Sequence, residues 1–382
     1  MADESVDEPE VLDTRPRGPR RSVWIAITVG CCCLIVIGLV WRATGHDRAG
    51  DDATTKPSAG DPAVTESATH RMSTSRRTVR TVDLGWVAAT TDYDVFLRTT
   101  SGVVRIRPST GRIVQTTVPG LASSGPVAFR PIDGAVLIHP LDLVPGYRVP
   151  DDGTAHQTKA SGGLLLPGPD DEHVWVEGEN DGLRLIADTD DGPGSQAEAR
   201  IPDLSVLGTQ RRLQGDGQGY VLGENIKRQV VYRLGRGGPK RLPIARPIAV
   251  GPTRVLGVAA HCTSSCSVIE LDARFAKVAH QPNWTADADT LGLVSPDGRT
   301  AALIGNDRVP RVVDLHSGAG KSAWKLQAWG TDQLAFSPDG RWLFGINADK
   351  HAYAVDVRTG RSRPLLPDVA GVLQLALRGG SS

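Results

Sequence analysis

From Val79 to Leu377 the chain alternates short apolar runs with clusters of Gly, Pro, Asp, Asn and Ser. Short runs bounded by turn residues predict strands, and no long amphipathic run suggests a helical bundle. Two stretches repeat almost in register: LGLVSPDGRTAALIGNDRVPRVVDLHSG (291–318) and LAFSPDGRWLFGINADKHAYAVDVRTG (334–360). Each has an apolar run, a Ser-Pro-Asp-Gly turn, a second run, a polar loop, a third run ending in Asp, and a Gly turn. Weaker copies occur at 127–140, at 164–180 with 183–192, at 212–225 with 230–238, and at 248–260 with 267–275. The first copy, at 86–97 and 103–111, lacks an opening strand.

Turn-to-turn spacings of roughly 36 to 46 residues match the period of a propeller blade. One four-stranded sheet cannot cover both of its own faces, whereas sheets packed around an axis cover one another. The segment GVLQLALRGG (371–380) resembles GTDQLAFSPDG (330–340) and reads as the missing strand of the first copy. Pairing Val372–Leu377 beside residues 86–118 would close the ring and satisfy strand edges otherwise exposed. The expectation is an all-β, seven-bladed β-propeller over residues 79–382.

The N-terminal part follows another pattern. Ser22 to Trp41 is a run of twenty uncharged residues, SVWIAITVGCCCLIVIGLVW, flanked by Arg21 and Arg42 with Trp24 and Trp41 near its ends. A helix of that length spans about 30 Å, the thickness of a bilayer's hydrocarbon core. Arg15, Arg17, Arg20 and Arg21 precede it, against Arg42, Arg48 and Lys56 after it. Positive-inside counting therefore puts residues 1–21, read as a disordered tail, in the cytoplasm and the bulk of the chain outside. The run is longer than the 7 to 15 apolar residues of a cleaved signal. Cys31 follows Gly30, but Thr28 and the continued apolar run fit a lipoprotein signal poorly. Cys31, Cys32 and Cys33 read as small apolar residues of the helix. Residues 42–78 carry almost no large apolar side chain and read as a flexible linker.

Composition narrows the class. The 43 basic and 43 acidic residues balance, unlike the basic surplus of a general nucleic-acid binder. Glycine (43) and proline (26) are plentiful, as frequent turns require. The SPDGR turns at 295–299 and 337–341, each followed by an apolar strand and by a strand ending in Asp before a Gly turn, resemble WD-repeat-like propellers. They look most like the Tol-system periplasmic propeller and similar bacterial exported proteins. The likeness covers about 300 residues and is clearest in these two copies. No Trp-Asp dipeptide ends a copy, so the eukaryotic WD-repeat pattern is not met. The resemblance implies a binding platform more often than a catalyst, and it names no ligand.

Other motifs weaken on inspection. Gly320-Lys321-Ser322 would need Gly at the position of Leu315 and a following helix to form a phosphate loop. SPDGRT (295–300) differs in spacing from a sialidase Asp-box, and no Gly-x-Ser-x-Gly elbow occurs. Cys262 and Cys266 flank a three-residue loop between apolar runs. They read as a disulfide rather than a metal or redox pair, because that pairing suits an oxidising compartment and His261 alone adds too few ligands.

Polar loops follow the second strand of the copies. They contribute Asp92, Glu179, Asn180, Glu224, Asn225, Asp307 and Asn347, while the connections between copies contribute Trp284 and Trp329. Together these would line a funnel mouth suited to a cation, a polyol or a basic segment of a partner. Turn chemistry alone also favours such residues in loops. The reading expects no cofactor or metal. It expects a membrane-anchored platform for an envelope or surface protein or a small ligand, with no nucleic acid. The alternative is an extracytoplasmic hydrolase or lyase using the funnel, although the scattered histidines form no spacing motif.

Overall fold

The computed structural model describes residues 75–379, apart from 122–126, 141–144, 162–163, 171, 178–181, 190–191, 202–203, 217–219, 236–237 and 288. The segment 22–41 lies outside these residues. Among the described residues no helix is long and apolar enough to cross a membrane.

The described chain is an all-β propeller. Its strands form five separate sheets of four or five strands and a sixth of eight. The four-stranded sheets are antiparallel meanders in chain order, for example Leu334–Phe336, Trp342–Ile346, Ala352–Asp356 and Ser362–Pro364. The eight-stranded sheet consists of two such meanders, Arg246–Val250 to Thr285–Asp287 and Leu291–Val294 to Gly320–Ser322. One parallel pair, Val250 with Leu293, joins them.

Second strands such as Thr300–Ile304 and Trp342–Ile346 are almost wholly buried. They lie between neighbouring sheets, which is why their apolar residues run without alternation. Seven apolar clusters lie between successive meanders among the described residues. One of them, with Ile248, Leu256, Ala301 and Val313, lies between the two halves of the eight-stranded sheet. Another joins Val95 and Val104 to Trp342 and Phe344, so the first sheet packs on the last.

The two Ser-Pro-Asp-Gly turns are chemically identical. Ser295 Oγ donates to Asp297 Oδ1 at 2.6 Å and accepts from the Thr300 backbone N–H at 3.0 Å. Ser337 Oγ donates to Asp339 Oδ1 at 2.6 Å and accepts from the Trp342 N–H at 2.9 Å. Gly298 and Gly340 both have φ of +68°, a conformation that favours glycine.

The first sheet contains both ends of the described chain, in the order Arg77–Thr81, Arg112–Thr117, Gly102–Arg107, Tyr93–Thr99, Val372–Gly379. Val372–Gly379 pairs antiparallel with Tyr93–Thr99, Val95 opposite Leu377 and Leu97 opposite Leu375. The outer strand begins at Arg77, two residues inside the stretch expected to be linker. It is mostly exposed and is held by backbone pairing to Arg112–Thr117, so apolar pattern does not reveal it.

Buried charge holds the seam. Arg378 donates to Asp94 at 2.7 Å and to Asp151 of the next sheet at 2.5 Å, and its other amino group donates to the Ile132 carbonyl at 2.5 Å. Arg105 and Arg107 also pair with Asp94, at 2.8 and 3.0 Å. Burial raises the Asp94 pKa, but hydrogen bonds from Arg107, Arg105 and Arg378 outweigh it and hold the carboxyl below the ordinary value.

Candidate functional site

The first strands of the meanders, together with Val372–Gly379, surround one channel. Its cavity measures about 960 Å³, at the upper end of the range usual for ligand pockets. The wall is largely aliphatic, with Leu166, Leu213, Ile248, Leu291, Leu293 and Ala335 among the lining residues. The lining also contains Arg98, Arg130, Arg212 and Lys350, against Asp216 and Asp332.

Several of these polar groups are already engaged. Gln374 accepts from Arg98 Nη1 at 3.2 Å, and its amide donates to Asp332 at 2.8 Å and to the Val127 carbonyl at 2.7 Å. Arg212 lies 3.7 Å from Glu224, and Asp216 accepts from the Tyr220 backbone N–H at 3.0 Å. Arg130 differs: no hydrogen bond or ion pair to another described residue engages its guanidinium. Loss of hydration pushes its pKa down to about 10, with the charge of Asp332 opposing through space.

None of the described residues expected at a funnel mouth lines this cavity. Glu179 and Asn180 lie outside the described residues. Asp92 is exposed beside Tyr93–Thr99. Glu224 is buried behind the first strand of its meander, cross-strand from Arg212. Burial pushes the Glu224 carboxyl up, and Arg212 and Arg246 oppose that. Asn225 staples its loop, donating to the Val206 carbonyl at 3.3 Å and accepting from the Arg228 N–H at 2.9 Å. Asn347 does likewise, accepting from the His351 N–H at 2.8 Å.

Asp307 and Trp329 are brought near each other. Asp307 pairs with Arg311 at 3.4 Å, and the adjacent Arg308 stacks its guanidinium 2.9 Å from the Trp329 ring centroid. The Ala328 N–H also donates to the Arg308 carbonyl at 2.9 Å. Trp284 is placed elsewhere. It precedes the outer strand Thr285–Asp287 rather than following it. It packs against Gly318, in the turn at the Ser-Pro-Asp-Gly end of the sheet. Sequence reading placed it on a connection between copies because the excursion 273–284 before the outer strand has no counterpart in the clearer repeats.

Cys262 and Cys266 are joined, with Cα atoms 5.7 Å apart. Among the described residues no group of three or more His, Cys, Asp or Glu side chains is arranged to hold a metal ion.

Sequence reading missed the channel residues, although Arg130 left a signal. Aligning VAFRPIDG with LAFSPDG puts Arg130 at the place of Ser337. The alignment of 371–380 with 330–340 puts Arg378 there too. Both arginines therefore depart from the repeat at the same position.

No protein-family model matches the chain, and no curated protein matches it. Several solved structures are similar to it at low identity. A putative 6-phosphogluconolactonase from Bacteroides uniformis is 12% identical, covering 76% of this chain and 100% of its own, with a TM-score of 0.45. The β-propeller domain of Myceliophteria thermophila Cps50 (Swd1) is 13% identical, covering 64% and 88%, with a TM-score of 0.44. The Dos1 propeller is 12% identical, covering 70% and 74%, with a TM-score of 0.43.

Proposed function

We propose that this chain is a seven-bladed propeller, tethered to a membrane by residues 22–41 and displayed outside the cytoplasm, that binds a partner protein. The eight-stranded sheet counts as two blades. Its halves enclose an apolar cluster as separate neighbouring sheets do, and a single parallel pair links them. An exported setting like that of the Tol-system propeller suits the Cys262–Cys266 disulfide, since such bonds persist in oxidising compartments. A tether would also raise the effective concentration of the propeller near membrane partners.

The observation that carries partner binding is a pair of exposed indoles on one connection. Trp324 is 79% exposed and Trp329 is 65% exposed. Tryptophan and arginine dominate the binding energy of protein interfaces, and Arg308 already lies on Trp329. No comparable aromatic pair is exposed among the other described residues.

The test uses the full chain in membranes with a photo-crosslinker at Lys325. A discrete protein adduct is expected, and it should disappear in the Trp324→Ala/Trp329→Ala variant while circular dichroism stays unchanged. An adduct of equal yield in both proteins, or none in either, would defeat the platform reading. Release of the chain from membranes by alkaline carbonate would defeat the tether.

A further inference from the structure

Arg130 and Arg378 occupy the same place in two copies of the repeat, but their surroundings differ. Arg378 has two carboxylates, Asp94 and Asp151, and a backbone carbonyl. Arg130 has no such partner among the described residues. The acidic group whose charge acts on it is Asp332, and that carboxylate is hydrogen-bonded to Gln374 instead. Arg130 is partly buried in the channel wall, so its guanidinium is open to whatever fills the channel, and an anion there would supply the countercharge that the protein does not.

The cavity that Arg130 lines has two kinds of wall. Arg98 and Lys350 add further positive charge to the lining, while Leu213, Ile248, Leu291 and Leu293 offer an aliphatic surface. A largely apolar pocket with a few convergent polar groups is the usual form of a small-molecule site. An inorganic anion would satisfy the arginine and leave the aliphatic wall unused. A neutral hydrophobe would do the reverse.

We propose that the propeller channel binds a small amphipathic carboxylate, its anionic group against Arg130 and its aliphatic body along the inner strands. This site is separate from the exposed indoles and does not depend on the tether or the partner. Nothing is transformed in the proposal; the channel holds the anion and takes its countercharge from it.

The experiment is calorimetric titration of the full chain with octanoate, with inorganic phosphate and octanol as comparisons. Wild-type protein should bind octanoate saturably and bind phosphate and octanol at least tenfold more weakly. Arg130→Gln should weaken octanoate binding at least tenfold, and Arg130→Lys should retain part of it. Absence of saturable octanoate binding, equal binding of octanol, or an Arg130→Gln affinity within twofold of wild type would each overturn the proposal. If Arg130→Gln fails to fold, phenylglyoxal labelling of wild-type protein decides. Octanoate should protect Arg130 from modification, and equal labelling with and without octanoate would contradict the site.

Discussion

The two Ser-Pro-Asp-Gly hairpins and the closing sheet hold the chain together in opposite ways. In the hairpins every bond is local: Ser337 reaches Asp339 and Trp342, two and five residues away. In the closing sheet Arg378 reaches Asp94 across 284 positions of sequence and Asp151 across 227. Local turn chemistry can be repeated blade by blade at little entropic cost. Closure joins ends that the unfolded chain keeps far apart, and it concentrates charge where water is excluded. Damage should therefore stay within a blade in the first case and spread around the ring in the second.

The largest effect should follow removal of residues 372–382. Val372 and Leu375 are buried, and losing such side chains costs about 1.5–3 kcal/mol each. Asp94 would also lose a buried partner, at about 3–5 kcal/mol. The sum is comparable to the total stability of an ordinary domain. Cooperative thermal unfolding should disappear, as calorimetry would record.

Asp94→Asn should come next, destabilising by about 3–5 kcal/mol because Arg105, Arg107 and Arg378 would face a neutral amide. Its pH dependence has a definite sign. The folded carboxyl titrates below its ordinary value of 3.8, so its contribution is complete above that value and is lost as pH falls through the lowered one. The gap between wild type and variant in urea denaturation should be constant from pH 5 to 7 and narrow below about pH 4.

Ser337→Ala should cost about 1–3 kcal/mol, since the buried Trp342 N–H loses its side-chain acceptor. The loss should leave the sharpness of the transition unchanged. The smallest effect should come from replacing Cys262 and Cys266 together with serine, about 0–2 kcal/mol. The loop they enclose is short and its strands are paired independently of the bond. Limited proteolysis should show the change confined to residues 259–265.

The same contrast explains what was legible in the sequence. The hairpin turns announce themselves because Pro, Asp and Gly each satisfy a local requirement, so strands 291–294 and 334–336 could be located in advance. The closing strand was recognisable because LQLAL repeats the apolar order of DQLAF. Its arginine clasp was not, because nothing near Arg378 in sequence indicates Asp94. Arg77–Thr81 leaves no mark in the sequence because an edge strand held by backbone bonds needs no apolar pattern. Loop amides such as Asn225 and Asn347 stand out for their polarity, and the structure uses them to fasten their own turns. Arg130 lies inside a strand, where only its charge at a serine position of the repeat sets it apart.

The central claim is that the two ends of the folded region form one sheet, and amide hydrogen exchange of the full chain tests it most directly. Peptides covering Val372–Gly379 and Tyr93–Thr99 should exchange together, as slowly as Trp342–Ile346 in the middle of its blade. Exchange of Val372–Gly379 a hundredfold or more ahead of Tyr93–Thr99 would mean that the last strand is not part of that sheet.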